Sequence, residues 1–345
     1  MNKSIAILPL VALVAACGGN GSGGGSAGSQ LKIVGSSTVY PFTTAVSEEF
    51  QRTNPGSSAI VESTGTGAGI KLFCSGVGAN FPDMVNASRP MKASEYADCA
   101  KSGAKNVIEL PVGIDGLALI QAKGQPAFNV TVAEIYQALA ANPFGKPQTA
   151  TTWKDVNPAL PAIKIRVLGP PPTSGTRDSL AELILEKGCD SDPAMKQLKK
   201  ANSDQHKTTC TKIREDGAYV EAGENDNLLV QKVAADPGTL GVLGYSFLDE
   251  NADKVSAVSI AGVTPTEATI SDLSYPGSRQ LFVYIKGEHI AAKPSIKQFV
   301  ETYAKAMGKD GMLARRGLVP LGSADAASAA AQASAMKPVD PATLK

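Results

Sequence analysis

Residues 169–185 read GPPPTSGTRDSLAELIL, a loop that runs straight into a helix. Pro170, Pro171 and Pro172 forbid helix at the front of the stretch, because proline fixes φ and has no N–H to donate. Thr173 or Ser174 caps the helix through a side-chain oxygen. Gly175 allows the backbone to approach a ligand closely. Asp178 and Glu182 place acid in the early turns, and Leu180, Leu183 and Ile184 form an apolar face. Gly188 is the expected stop. Ser-Gly-Thr at a helix start gathers two hydroxyls and several unpaired N–H groups around one point, which suits an oxyanion. A capped surface helix carries the same local signals, so the rest of the chain has to decide.

Other loops have the same chemistry. The apolar run Ile163–Leu168 is a strand that delivers the opening stretch. Leu31–Val34 is a strand leading to Gly35-Ser36-Ser37-Thr38-Val39-Tyr40-Pro41 and an amphipathic helix through Phe42, Val46 and Phe50, with Pro41 in the first turn. Ala59–Glu62 is the next strand, followed by STGTGAG from Ser63 to Gly69 and a short helix over Ile70–Cys74. No Gly-Lys-Ser/Thr follows at nucleotide-loop spacing, and alternating glycines alone do not make a dinucleotide fingerprint. DMVNASRP, Asp83–Pro90, leads into a helix beginning near Lys92. Val107–Val112 and Leu117–Gln121 are strands separated by GIDG. Thr131–Ala141 and Pro294–Met307 are amphipathic helices; Gly238–Tyr245 and Gln280–Ile285 are strands. Residues from Gly322 onward form a marginal helix or a frayed tail. Alternating strands and helices give an α/β body, and ligands in such sheets bind where strand ends meet helix starts. Three glycine- and hydroxyl-rich loops converging there would supply the donors a desolvated oxyanion needs.

The first 17 residues carry one lysine, an apolar run broken by Pro9, and Val14-Ala15-Ala16-Cys17. The run is too short to span a bilayer and reads as an export leader. Val-Ala-Ala-Cys resembles a bacterial lipobox, which implies cleavage before Cys17 and lipidation of its thiol. GGNGSGGGSAGSQ, residues 18–30, is a flexible tether. A formal net charge of +1 offers no basic surplus for nucleic acid, so a bound anion is held by local dipoles and a few placed side chains. The remaining cysteines, Cys74 with Cys99 and Cys189 with Cys210, fall in two local groups and read as two disulfides in an exported chain, each worth about 3 kcal/mol. Four thiols allow three pairings. With no Cys-x-x-Cys, and with His206 and His289 isolated, no metal site or cofactor is expected; both histidines are placed at the surface or at caps.

GSSTVYPF, STGTGAGIK, NASRP, TSGTRD and GENDNLLVQKVAADPGTLGVLGYSFL, in this order and spacing, resemble the phosphate-binding subunits of bacterial ABC importers, the PstS family, over Leu31 to about Leu321. The resemblance implies a two-lobed, type II periplasmic-binding-protein fold with a hinge of crossing strands and the ligand in the interlobe cleft. The first lobe is expected to take 31–118 and 245–322, the second 119–244, and 323–345 to be an Ala-rich tail. It implies phosphate ligands at Thr38 and Val39 of the first loop and at Ser174, Gly175 and Thr176 of the second lobe, with Ser37 an added hydroxyl. The family's second-loop serine is Ala68 here, leaving a backbone N–H, with Gly69 beside it. The family's aspartate is Ser88, followed by Arg89, and its arginine is Pro170. Arg89 is therefore expected to be the charged ligand, the structural alternative being a pairing with Asp83 or Asp226. Arg177 comes next as a cation, and Asp178 or Asp226 as the acceptor of the phosphate proton.

The implied function is capture of inorganic phosphate in the periplasm by a lipid-tethered monomer that delivers it to an inner-membrane permease and its ATPase. Sulfate, molybdate, tungstate or a phosphonate is the alternative ligand. A hydrolase using Ser174 or Ser37 is a further reading, weakened by the missing Gly-x-Ser-x-Gly setting and by histidines lacking an acidic neighbour in sequence. An adhesion lipoprotein that has lost transport is the last.

Overall fold

The structure, a computed structural model, describes residues 30–344. The expected leader, the lipidation at Cys17 and the tether up to Ser29 lie outside the described residues. Eleven strands form along the described chain: β1 (Gln30–Gly35), β2 (Ser58–Ser63), β3 (Met84–Ala87), β4 (Val107–Ala122), β5 (Asn129–Val130), β6 (Val167–Gly169), β7 (Tyr219–Glu221), β8 (Leu240–Gly244), β9 (Val255–Ala257), β10 (Ser259–Ile260) and β11 (Ser278–Lys286). Nine of them make one sheet in the order β2-β1-β3-β11-β4-β8-β6-β7, with β9 also on β4, while β10 and β5 pair separately.

β4 organises this sheet. Its first half pairs antiparallel with β11, from Val107 opposite Lys286 to Gly116 opposite Ser278. Its second half pairs with β8 through Leu117–Ile120 and with β9 through Ile120–Ala122. One strand thus belongs to both lobes. The sequence predicts two strands here, with GIDG as a break. The glycines instead answer to packing: a Cβ on Gly113 would overlap the Leu318 side chain, and one on Gly116 would meet Ile270. Pro111, which has no N–H for the ladder, sits where the register with β11 shifts between Leu281 and Phe282. The chain was expected to return to the first lobe near Tyr245. It returns at β11 instead, because β9 and β10 still pair with β4 and β5 of the second lobe.

Parallel β1, β2 and β3 build the first lobe with the helix Tyr40–Thr53, whose Phe50 packs edge-on to Phe299 of the helix Ser295–Ala306. Parallel β6, β7 and β8 build the second. Such strands, covered on both faces, need near-continuous apolar runs, and Leu31, Ile33, Val167, Leu240 and Val242 are all buried. The disulfides are Cys74–Cys99 and Cys189–Cys210. The Ala-rich end forms the helix Ser323–Ala335, with Ala329 and Ala333 buried.

The opening stretch is helical from Gly175 through Cys189: an α-helical turn Gly175–Ser179, a π-helical segment Leu180–Leu185, and an α-helical turn Glu186–Cys189. Gly188 does not end it. A Cβ there would collide with the Val132 carbonyl and the Tyr136 side chain, so the glycine allows two helices to pack closely.

Candidate functional site: the cleft at the crossing strands

Three glycine- and hydroxyl-bearing loops of the first lobe lie side by side. The Gly35 carbonyl accepts from the N–H groups of Thr64 (2.8 Å) and Gly65 (2.9 Å), and Ser36 N–H donates to the Asn86 carbonyl at 2.9 Å. A Cβ on Gly69 would overlap the backbone of Gly35. That closeness places Thr38, Thr66 and Ser88 at one edge of the lobe, each nearly buried. Thr66 Oγ1 and Ser88 Oγ share a 2.9 Å hydrogen bond, and Ser88 N–H donates to Thr66 Oγ1 at 3.1 Å.

The helix beginning at Gly175 comes from the other lobe and touches these loops. A Cβ on Gly175 would lie 3.0 Å from the Ser37 carbonyl oxygen and from Thr38 Cα, a contact that glycine accommodates. Thr38 Oγ1 donates to the Gly175 carbonyl at 3.4 Å, and Ser37 Oγ donates to Asp178. One turn on, Glu182 accepts from Ser88 Oγ at 3.4 Å. Asp178 and Glu182, four residues apart, share one side of the helix; both reach across to the first lobe.

Between the lobes stands Arg279, a β11 residue directly opposite Asp115 of β4. It is 8% exposed. Its Nε donates to Asp115 Oδ2 at 3.1 Å, its Nη1 to Glu182, and its Nη2 to Thr38 Oγ1 and Ser179 Oγ at 2.8 Å each. Ser179 Oγ in turn donates to Asp115 at 2.6 Å. One guanidinium thus joins both lobes and the two paired strands, β4 and β11. The planar fork, with donors at fixed angles, is what allows four partners.

Two cavities flank this point. One, of about 730 Å³, is lined by Thr38, Thr66, Ala68, Ser88, Arg89 and Arg279, with Asp178 and Glu182 on the opposite wall. The other, of about 600 Å³, shares Ser37 and Thr38 and adds Ser174, Gly175, Thr176 and Asp226. Thr38 therefore shares one cavity with Arg89 and the other with Ser174, on either side of the contacts made by Thr38 and Ser37.

Several expected residues have other engagements. Arg89 spends both Nη groups on Glu95, at 2.9 and 2.7 Å, a fork-to-fork pair with neither Asp83 nor Asp226; that hydrogen bonding outweighs burial and raises its pKa above the ordinary arginine value. The sequence signal was available, since Glu95 lies in the first turn of the helix Ala93–Lys101. Arg177 turns away from the cleft: its Nη1 donates to the Pro170 carbonyl at 3.1 Å and its guanidinium covers the Tyr219 ring at 4.6 Å. Ser174 Oγ caps its helix by accepting from Thr176 N–H at 3.2 Å. Gly69 N–H is used within its own turn, on the Gly65 carbonyl. Val39 is fully buried in the core. Asp226 opens the helix Asp226–Ala235, and burial pushes its carboxyl up to about 6.

Both histidines contradict the surface expectation. His206 is 1% and His289 is 5% exposed. His289 accepts from Gly78 N–H at Nε2 (2.8 Å), so its Nδ1 carries the proton it donates to Asp83 at 2.7 Å. His206 Nε2 lies 2.8 Å from Asp190. Each acidic partner is distant in sequence, which is why a local reading missed it. Sequence reading also passed over Arg279, which stands just before the strand expected at Gln280–Ile285 and inside the observed β11. Its signal was its place: a cation on the strand paired with the shared strand β4, opposite Asp115. Thr66 was overlooked because attention fell on Ala68, two residues later.

Residues 20–304 match a family model described as a PBP superfamily domain. The chain is 35% identical to protein SphX of Synechococcus elongatus, over 83% of this chain and 76% of that protein. It is 30% identical to the phosphate-binding protein PstS of Staphylococcus saprophyticus, over 86% of this chain and 83% of that one. Among solved structures, a possible phosphate binding protein from Planctomyces limnophilus superposes with a TM-score of 0.73 at 29% identity, covering 89% of this chain and 98% of that one.

Proposed function

We propose, from the premise that the chain belongs to the PstS family within the PBP superfamily, that it captures inorganic phosphate outside the cytoplasm and hands it to an ABC permease with its ATPase. The observation that carries the reading is the buried Arg279 guanidinium, placed where Thr38 of one lobe and Ser179 of the other meet. A small tetrahedral oxyanion in this cleft takes the fork of Arg279 together with the hydroxyls of Ser37, Thr38, Thr66 and Ser88. Helix-start N–H groups near Ala68 and Gly175 add donors, each start contributing about 0.3–1 kcal/mol, and more where partly buried.

Arg279 takes the role that Pro170 vacates, and Arg89 supports the cleft wall through Glu95. The carboxylates set selectivity. Asp178 contacts Ser37 from the opposite lobe, positioned to accept the hydrogen of a protonated phosphate oxygen. Sulfate at neutral pH has no such hydrogen and meets an unpaired acceptor, which disfavours it. Asp226 stands further out, in the cavity of Ser174.

Lipidation at Cys17, tethering by residues 18–30 and a monomeric state complete the proposal; among the described residues no helix is long and apolar enough to cross a membrane. Binding rather than turnover is favoured because Ser174 serves as a helix cap and both histidines are committed elsewhere, to Asp190 and Asp83. Competition calorimetry with phosphate, sulfate and molybdate across pH tests the assignment. Phosphate should bind at least 100-fold more tightly than sulfate, a difference of about 2.7 kcal/mol; equal affinities would overturn it.

A further inference from the structure

We propose that reduction of the Cys189–Cys210 disulfide turns a buried corner of the second lobe into a thiolate–imidazole site for a divalent cation of the zinc class. The inference is independent of the anion reading. Among the described residues, Cys189, Cys210 and His206 bring two sulfurs and an imidazole nitrogen within 4.8 Å of one another, all three side chains buried. Thiolate and imidazole are the ligands zinc selects, at about 2.3 Å and about 2.0–2.1 Å, so this cluster closes on a metal with small side-chain shifts.

The histidine is the second, independent observation. Its Nε2 lies 2.8 Å from Asp190 Oδ1, and a carboxylate only accepts, so Nε2 carries the proton. In the neutral ring that leaves a lone pair on Nδ1, and Nδ1 is buried with no hydrogen-bond partner. An orphaned buried acceptor is costly; a metal would satisfy it. Asp190 would then hold the ring as the outer carboxylate of a carboxylate–histidine–metal relay. Glu186 Oε1 lies 4.0 Å from Nδ1 but is held by Lys199 Nζ at 2.8 Å, so it takes the fourth position only by releasing that lysine, and a water fills it otherwise. His206 and Cys210 stand one turn apart on the helix Ser203–Thr211, and they are the only side chains it buries. The helix before it, Pro193–Ala201, buries none. The cluster is thus the buried part of this hairpin's attachment, beside Met195 against the core and Lys199 on Glu186 and Asp190, and it is a disulfide in one redox state and a metal in the other.

The chemistry balances with a dithiol reductant. Its thiolate attacks one sulfur of the pair, expelling the other cysteine as a thiolate and forming a mixed disulfide, and its second thiol then attacks the reductant's own sulfur and releases the cysteine still held there. Two electrons pass to the protein, two protons end on Cys189 and Cys210, and the reductant leaves as its own disulfide. Binding of Zn²⁺ then displaces both thiol protons to solvent.

The test uses the full chain, reduced with a dithiol, freed of it without oxygen, and titrated with Zn²⁺ against a competing chelator. One equivalent should bind to the reduced chain and none to the oxidised chain, and Co²⁺ in its place should show thiolate charge-transfer absorption. Asp190→Asn should weaken zinc by about 10- to 100-fold, and His206→Gln by at least as much. A double Cys74→Ser, Cys99→Ser variant should bind like the parent. The proposal is overturned if reduced and oxidised chains titrate alike, or if His206→Gln retains parental affinity. It is equally overturned if reduction unfolds the lobe by circular dichroism and zinc does not restore it.

Discussion

Replacing Arg279 by lysine keeps the charge and removes the fork. In the parent, Nε serves Asp115 while Nη1 and Nη2 serve Glu182, Thr38 and Ser179. A lysine ammonium is a single point and cannot reach both ends of that span. An oxyanion held by two parallel N–H groups keeps one of them. A hydrogen bond to a charged group is worth about 1.5–3 kcal/mol, so the dissociation constant for phosphate should rise roughly 10- to 150-fold. Arg89→Gln is the matched comparison. It removes the Glu95 pair, whose side chains are 34% and 20% exposed, and it should change phosphate affinity by no more than about fivefold, as for a partly solvated pair worth up to about 1 kcal/mol. Titration calorimetry on both variants, with thermal melts free of phosphate to confirm folding, decides between them. The reasoning fails if Arg279→Lys binds within a factor of two of the parent while Arg89→Gln loses phosphate.

Four further outcomes are expected. Asp226 has a folded pKa of about 6 against an ordinary 3.8; the folded chain keeps a proton that the unfolded chain releases, so stability falls as pH rises through that window. Asp226→Asn should flatten that segment of a urea-unfolding pH series and add up to about 3 kcal/mol at pH 7. Asp83 is fully buried, and although burial drives its carboxyl upward, hydrogen bonds from His289, Lys293 and the Lys32 N–H hold it below the usual range. Its stabilisation is present above the unfolded pKa and lost as pH falls through the folded one, so Asp83→Asn should cost about 3–5 kcal/mol at pH 7 and blunt the acid limb. Gly175→Ala inserts a methyl against Ser37 and Thr38 and should weaken phosphate binding with melting temperature nearly unchanged. Gly188→Ala should do the reverse, lowering stability by about 1–3 kcal/mol through overpacking while phosphate affinity holds.

The fold was legible in the chain because its strands and helices announce themselves by local period and caps. Leu31–Val34, Ala59–Glu62 and Pro294–Met307 all lie within or close to the observed elements. Errors arose where a residue's role depends on what packs against it. Gly113 and Gly116 look like a turn until Leu318 and Ile270 are seen over them, and Gly188 looks like a stop until Val132 is. The site was legible as loops and obscure as charges. Hydroxyl-rich helix starts are local features, and Thr38 and Gly175 do meet. Which cation stands between the lobes depends on where the chain carries it, since Arg279 is itself paired, with Asp115 and Glu182. Arg89 finds Glu95 six residues away, whereas Arg279 is brought to Thr38 by the register of β11 on β4.

That register has a mechanical corollary. Any swing of one lobe against the other has to pass through the shared strand, and Asp115 with Arg279 sits beside the point where it changes partners, from β11 to β8. Displacement is smallest nearest an axis. The guanidinium stands next to that axis and would be displaced least by such a swing, whereas Ser88 on one lobe and Glu182 on the other would travel further.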